Sequence, residues 1–426
     1  MTSWIGIDFG TSNSAVALAE GASAPRLWPF PSASGPQPTF PSVLYFEARQ
    51  AAAGWPAIER YLAAEHKGRF IQSLKAYLAD RSFEGTVVGT SYHSLERLIA
   101  RLGTHIGDEL PRRAPRRAVF GRPVHFSMPA DAEADAFAAG RLREAMRLAG
   151  FDEIEFEYEP VAAAYAYEAR LTRDERILIG DFGGGTSDFT VMAVGPDVRA
   201  RGRRSSDILG TDGVPLAGDA FDRHLVRHLV APRLGFGDDY LSPPDKILPI
   251  PSWPYERLER WHHLSFLRAP ATLDILERVR RTARRPERLE ALLVLIRNDL
   301  GFQLHEAVQR TKFTLSSEEQ ADFAFVSGAA AIRSRVTRTD FEGWIAGDLS
   351  TMAACVDRLM TTTGLAPGDI DRVFLTGGSS FVPAVRRIFT ERFGAAKVTG
   401  GEELTSVATG LALRARERWP AATGPG

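Results

Sequence analysis

Two short stretches of this chain place a carboxylate, a glycine turn and hydroxyl side chains in the same order. In the first, Ile5-Gly6-Ile7-Asp8-Phe9-Gly10 leads into Thr11-Ser12-Asn13-Ser14. In the second, Ile177-Leu178-Ile179-Gly180-Asp181-Phe182 leads into Gly183-Gly184-Gly185-Thr186-Ser187-Asp188. Glycines let the backbone N–H groups of a turn converge on one point, and such nests hold phosphate oxygens. Thr11, Ser12 and Thr186 add hydroxyl donors. Asp8 and Asp181 are poor direct neighbours of phosphate, because like charges repel. They make sense if a hydrated Mg2+ sits between carboxylate and phosphate, since that ion keeps its waters and takes only one or two carboxylates. The plain alternative is a pair of ordinary hairpins with turn aspartates. It accounts for one copy better than for two copies whose aspartates lie 173 residues apart.

Each motif needs elements to carry it. The apolar run before each Asp and the run after it (Ala15 to Leu18, Phe189 to Met192) read as strand, tight turn, strand. The recurrence suggests a duplication into two similar lobes. Between the hairpins, Ala118 to Val124 reads as a strand and turn. Asp131 to Leu148 reads as a helix stopped at Gly150, and a further helix starts near Pro160, after Glu159. Residues 231–255 are Pro-rich and read as irregular. From Pro286, Leu289, Leu293, Ile296, Leu300, Leu304 and Val308 recur at helical spacing. Late in the chain, the buried strand Arg372 to Thr376 ends in Gly377-Gly378-Ser379, where bare backbone lets a flat ring lie close, and a helix follows from Pro383 to Gly394. A final helix is expected from about Thr405 to Arg418. Glu159-Pro160-Val161-Ala162-Ala163-Ala164 and Ser406-Val407-Ala408-Thr409-Gly410-Leu411-Ala412 present small faces. Those faces let two helices cross closely and slide, which suits a hinge; simple Ala-rich helices are the alternative.

Composition narrows the function classes. The chain has 426 residues, 44% hydrophobic and 25% charged, with 52 basic against 53 acidic side chains and a net charge of −1. That is no surface built for nucleic-acid backbones. One cysteine, Cys355, excludes an internal disulfide. The expectations are no signal peptide, no membrane span and a cytoplasmic location. Gly-x-x-x-x-Gly-Lys-Ser/Thr, Gly-x-Gly-x-x-Gly and Gly-x-Ser-x-Gly are all absent, so a P-loop, a dinucleotide fingerprint, a kinase glycine loop and a serine-hydrolase elbow are not expected. His224 with His228, and His262 with His263, lack supporting ligands and read as packing or surface residues. The Arg clusters 111–117, 199–204 and 278–288 could hold a polyanion, but with this net charge they read as solvated faces and partner contacts. There are only five lysines, Lys67, Lys75, Lys246, Lys312 and Lys397, so a lysine at a candidate site carries weight.

Ile5–Leu18, Glu159–Ala164, Asp181–Met192, Val373–Val385 and Val407–Ala412 resemble, in order, the five signature segments of the actin-like ATPase superfamily. Their details look most like its DnaK-type, seventy-kilodalton heat-shock chaperone branch, and Gly121-Arg122-Pro123-Val124-His125-Phe126 and Leu248-Pro249-Ile250-Pro251-Ser252-Trp253 look like the YegD-like subgroup. The resemblance implies an α/β fold of two ribonuclease-H-like lobes around a nucleotide cleft. The first lobe would span residues 1–176, with a C-terminal helix over 404–420 returning to it. The second would span 177–403, with an inserted, mostly helical subdomain at about 223–310. Matched residue by residue, Gly10, Thr11, Ser12 and Asn13 form one phosphate loop and Gly183, Gly184, Gly185 and Thr186 the other. Asp8 and Asp181 hold Mg2+ through water and help position the attacking water; Glu159 and Asp188 are further acidic groups of the site. Lys75 is the catalytic lysine near the γ-phosphate, and Thr186 is a further catalytic residue. Gly218, Lys312, Ser316, Gly377, Gly378, Ser379 and Phe381 bind the nucleoside.

Some positions depart from the family pattern. Gln309 replaces the usual Glu before the nucleoside lysine, Ala217 the first glycine before Asp219-Ala220-Phe221-Asp222, and Phe381 an adenine-stacking Arg, which trades a guanidinium for a neutral ring. Only 16 residues follow Gly410, so the peptide-binding domain of a full chaperone is expected to be lacking. The leading expectation is a slow Mg2+-dependent ATPase whose ATP and ADP states differ in lobe closure. An unknown protein partner or client would read that difference, and the molecule would be a monomer or weak oligomer binding neither nucleic acid nor membrane. The rival readings are a non-catalytic nucleotide sensor, a small-molecule kinase of the same fold and an actin-like filament.

Overall fold

A computed structural model describes residues 3–47, 50–63, 68–111, 116–126, 131–168, 171–201, 205–259, 267–298, 300–327, 330–399 and 406–420. His262, His263, Lys67 and parts of the first two Arg clusters lie outside the described residues, as does the expected helical start at Thr405.

The structure is mixed α/β, and its two main sheets repeat one topology. In the first, β1 (Ser3–Asp8), β2 (Asn13–Glu20), β3 (Arg26–Leu27), β4 (Arg117–Arg122) and β5 (Glu153–Tyr158) lie in the order β3-β2-β1-β4-β5, with the short strand Phe40–Pro41 also on β2. In the second, β6 (Glu175–Phe182), β7 (Ser187–Val194), β8 (Ile208–Val214), β9 (Arg372–Thr376) and β10 (Val398–Thr399) lie in the order β8-β7-β6-β9-β10. In each sheet the first three strands are antiparallel and the last two run parallel to the first strand of the hairpin. Parallel neighbours need long crossovers. The helices Ala132–Leu148 and Pro383–Phe393 supply them.

The repeat holds at the level of register. Asp8 pairs with Ala15 across the first hairpin, and Asp181 pairs with Asp188 across the second. The span from Asp to partner is equal in both, so Asn13 is the counterpart of Thr186 and Ser14 of Ser187. The two Thr-Ser pairs of the sequence therefore do not occupy equivalent positions, and only the second copy carries a second acid.

A helix follows the last strand of each sheet, Glu159–Glu168 and Ser406–Arg418. Their small faces pack in one core of Ala162, Ala163, Val407, Ala408, Leu411 and Ala412. A Cβ on Gly410 would stand 1.6 Å from the Ala162 carbonyl oxygen, so the crossing is open to glycine alone. Interaxial distance is set by the residues at the contact, and here the contact is nearly bare backbone.

Two expectations are corrected. The helical periodicity from Leu289 to Val308 belongs to two helices, Pro286–Arg297 and Gly301–Ser317. The Leu300 N–H reaches back to the Leu295 carbonyl at 3.0 Å, the 6→1 closure that ends a helix. The stretch 231–255 is not irregular throughout: Asp239–Ser242 pairs with Lys246–Pro249 as a hairpin, and Trp253–Leu258 is a short helix.

The chain gathers into two compact units, 1–217 with 351–380 and 385–426, and 218–350 with 381–384. Both of the main sheets belong to the first. The second holds the helices Gly218–Leu225, Pro270–Thr282, Pro286–Arg297 and Gly301–Ser317, and the hairpins Asp239–Pro249 and Gln320–Thr337. In the second unit His224 pairs with Asp348 at 3.1 Å and His228 stacks on Trp344 at 4.5 Å, the packing roles expected of them.

Candidate functional site

In the first unit, both hairpins end at one cluster of buried charge. Lys75 sits on the 3-10 turn Leu74–Tyr77, whose flanking Leu74 and Leu78 are buried in the core. Ser73, just before it, adopts a left-handed conformation with φ 56°, a strained state for a non-glycine residue that surrounding structure must impose. Pinned in this way, Lys75 Nζ donates to Glu159 Oε1 at 2.6 Å, with both side chains close to fully buried. Glu159 opens its helix. A Cβ on Gly121 would lie 3.1 Å from Glu159 Cγ and 3.6 Å from Asp8 Oδ1, so the missing side chain makes room for both acids.

Asp181 stands at the end of β6, beside Thr376 of β9. The Thr376 hydroxyl donates to Asp181 Oδ1 at 2.8 Å. Asp188 opposes it across the hairpin and accepts from the Thr186 hydroxyl at 3.0 Å.

Four carboxylates around one ammonium cannot all ionise at low cost. Burial, then the charge of Glu159, pushes Asp8 up to about 8, although Lys75 pulls the other way. Burial and Asp181 push Asp188 up to about 8 against the Thr186 hydrogen bond. Burial and Glu159 raise Asp181 to about 6, with the Thr376 hydrogen bond holding it down. Burial disfavours the charge on Lys75, but Glu159 and Asp8 outweigh it and raise its pKa. The cluster is short of positive charge, as expected of a place where a cation is held. Among the described residues, no group of three or more His, Cys, Asp and Glu is placed to ligate a metal directly. That donor set fits an ion held through its own waters and does not fit a protein cage.

The glycine turns follow Asp8 and Asp181 in the chain. Ser12, Asn13, Gly183 and Gly185 are exposed, and Gly10, Thr11, Gly184 and Thr186 half-buried. The second turn is closed by the Gly183 N–H donating to the Thr186 carbonyl at 3.0 Å. Ser42 braces the first: its hydroxyl donates to the Gly10 carbonyl at 2.8 Å and its N–H to the Ser12 carbonyl at 2.8 Å. Gly377 has φ +82°, and a Cβ there would meet the Phe182 carbonyl oxygen at 2.1 Å. It thus locks the β9 turn against the second hairpin. Gly378 is exposed and Ser379 buried.

The remaining expected residues lie in the second unit. Lys312 Nζ pairs with Asp222 Oδ1 at 2.7 Å and donates to the Gly218 carbonyl at 3.2 Å. Gln309 Nε2 donates to Asp222 Oδ2 at 3.5 Å. The Ser316 hydroxyl donates to the Lys312 carbonyl of its own helix, and Phe381 leaves 38% of its surface exposed. Burial, then Asp222, raises Asp219. The structure thus brings together Asp8, Lys75, Glu159, Asp181, Thr186 and Asp188 in one unit, and Gly218 and Lys312 in the other.

Three supporting residues escaped the sequence reading as parts of the site: Ser42, Ser73 and Thr376. Thr376 carried a usable signal, since it ends a buried strand next to two glycines. Ser42 and Ser73 carried none.

A family model described as Hsp70 protein matches residues 136–233 and 296–420, just over half of the chain. The chain is 24% identical over 427 aligned residues to the chaperone protein DnaK of Thermosipho melanesiensis, and 25% identical to that of Thermosipho africanus. Each alignment covers 96% of this chain and 58% of the relative, so the chain spans less than three fifths of the length of these curated relatives. No helix among the described residues is long and apolar enough to cross a membrane. The chain belongs to the Hsp70 family, and with that family goes the actin-like ATPase fold.

Proposed function

We propose that the chain binds and slowly hydrolyses ATP as a nucleotide-dependent switch. The observation that carries this reading is the Lys75–Glu159 pair set among Asp8, Asp181 and Asp188, with a glycine turn following each hairpin aspartate in the chain. The amides and hydroxyls of Gly10 to Asn13 and Gly183 to Thr186 hold the phosphate oxygens. Lys75 neutralises charge at the γ-phosphate, and Glu159 keeps it protonated and aimed. Asp8 and Asp181 hold Mg2+ through water. When bound, that ion supplies charge neutralisation on the phosphates. Asp181, steadied by Thr376, orients the water that attacks in line. Rate enhancement then comes from positioning and fixed charge. Gly218, Lys312, Ser316, Gly377, Gly378, Ser379 and Phe381 are proposed for the nucleoside. The two-lobe division at residue 176, the close helix crossing as a hinge, an unidentified protein partner that reads the lobe state, and a reducing cytoplasmic location complete the proposal.

A second reading, nucleotide binding without turnover, draws on Gln309 and Phe381, which depart from the family pattern. Multiple-turnover hydrolysis with and without Mg2+, on the wild type and on Lys75→Ala, with ATP binding measured in parallel, separates the two. Turnover that needs both Mg2+ and Lys75 supports the switch. Tight binding with no turnover supports the sensor, and neither binding nor turnover refutes both.

A further inference from the structure

The first unit also holds a cavity of about 730 Å3, within the range that metabolite-sized ligands occupy. Arg122 at the end of β4, His125 just beyond it, Asp135 and Tyr158 at the end of β5 form its polar wall. The rest of the lining is mostly small and aliphatic.

One group in that wall lacks a counterpart. The Arg122 guanidinium lies 5.1 Å from the centroids of both the Phe126 and Tyr158 rings. Its Nε and Nη2 donate to the Pro123 and Val124 carbonyls at 3.2 and 3.3 Å. It is therefore oriented, yet it has no carboxylate partner among the described residues. Asp135, the acid in the same wall, is taken: His125 Nδ1 lies 2.7 Å from one oxygen, and the Phe126 N–H donates to the other at 2.6 Å.

The occupant's chemistry follows from these groups. One fixed, unpaired cation calls for one anionic group. A polyanion would need more donors than the wall offers. The aliphatic lining and the Tyr158 ring call for an apolar body. We propose that this cavity binds a metabolite-sized organic anion with a single anionic headgroup, its carboxylate or phosphate on Arg122 and its apolar body against Tyr158. The proposal does not depend on nucleotide chemistry.

The test is calorimetric titration of the nucleotide-free full chain with three probes of one shape: 2-naphthoate, 2-naphthyl phosphate and neutral 2-naphthylmethanol. One site per chain is expected, with at least one anion binding about tenfold or more tighter than the alcohol. The stronger anion identifies the headgroup. Arg122→Met should abolish the preference for charge. Ala136→Phe, at an exposed position of the lining, should block all three probes and serves if the Arg122 variant does not fold. Equal binding of the three probes, a charge preference that survives Arg122→Met, binding indifferent to Ala136→Phe, or no saturable binding at low millimolar concentration would each overturn the proposal. None of these outcomes bears on ATP turnover.

Discussion

Lys75 and Glu159, 84 positions apart in the chain, meet at 2.6 Å in a place where neither is more than about a tenth exposed. Breaking one side of such a pair strands the other charge, at a cost of about 3–5 kcal/mol. Here the stranded group would be a carboxylate already surrounded by Asp8, Asp181 and Asp188. Lys75→Met should therefore destabilise the fold by that amount near neutral pH. The double variant Lys75→Met/Glu159→Gln, which removes both charges, should recover a good part of it. Urea unfolding of both variants at fixed pH is the measurement, and a double variant no more stable than the single one would show that the pair does not act as a unit.

The same cluster sets a pH dependence. Asp8 and Asp188 are pushed up to about 8 and Asp181 to about 6, from an ordinary 3.8. Between those values the folded chain holds protons that the unfolded chain has released. These groups therefore weaken the fold as pH rises from about 4 to about 8. A cation among them opposes that loss and becomes more effective as they ionise. Mg2+ should raise the melting temperature more at about pH 8.5 than at about pH 5.5, with proton release on binding, and Asp8→Asn should shrink the difference. Equal shifts at the two pH values would contradict a cation held by these carboxylates.

Thr376 holds Asp181 down by hydrogen bonding to its charged form. Thr376→Val keeps the shape and removes the donor, so the Asp181 pKa should move further up. The acid limb of the turnover profile should then shift to higher pH, with a loss of about ten- to a hundredfold at neutral pH, typical of groups that orient a ligand. Thr376→Ser should restore both. A Val variant with lower turnover and an unmoved profile would mean that Thr376 acts only through packing.

How legible this site is depends on where each residue's position is decided. Asp8 and Asp181 stand out because the hairpins that carry them are local and repeated. The matching of Thr186 to Asn13 is hidden, because a Thr-Ser pair occurs in both motifs at different offsets and only strand register aligns them. Lys75 shows no pattern of its own. A left-handed Ser73 and two buried leucines aim it, which is tertiary information, and the family resemblance alone pointed to it. The fold behaves likewise. The paired hairpins and the small-faced helices are readable as patterns. The break near Leu300 is not, because apolar spacing continues across a 6→1 turn that costs the pattern nothing.

The crossing of Glu159–Glu168 with Ser406–Arg418 ties both sheets' terminal helices to the site, since Glu159 opens the first of them. A Cβ on Gly410 would sit 1.6 Å from the Ala162 carbonyl oxygen, a contact that only separation of two helix backbones can relieve. Ala162 and the flanking Ala408 and Leu411 are fully buried, so there is no free volume to absorb the shift. Gly410→Ala should cost about 3 kcal/mol or more, at or above the upper end of ordinary overpacking. It should also displace Glu159 and so weaken Mg2+-dependent stabilisation. Gly140 is the control. It lies within the helix Ala132–Leu148, where a Cβ would meet nothing within 4 Å, and Ala there should add about 0.5–1 kcal/mol through helix propensity. Thermal and chemical unfolding of the two variants side by side reads both signs. A Gly410→Ala protein as stable as the wild type would mean that the helices can part freely, and the proposed hinge would then not depend on close contact.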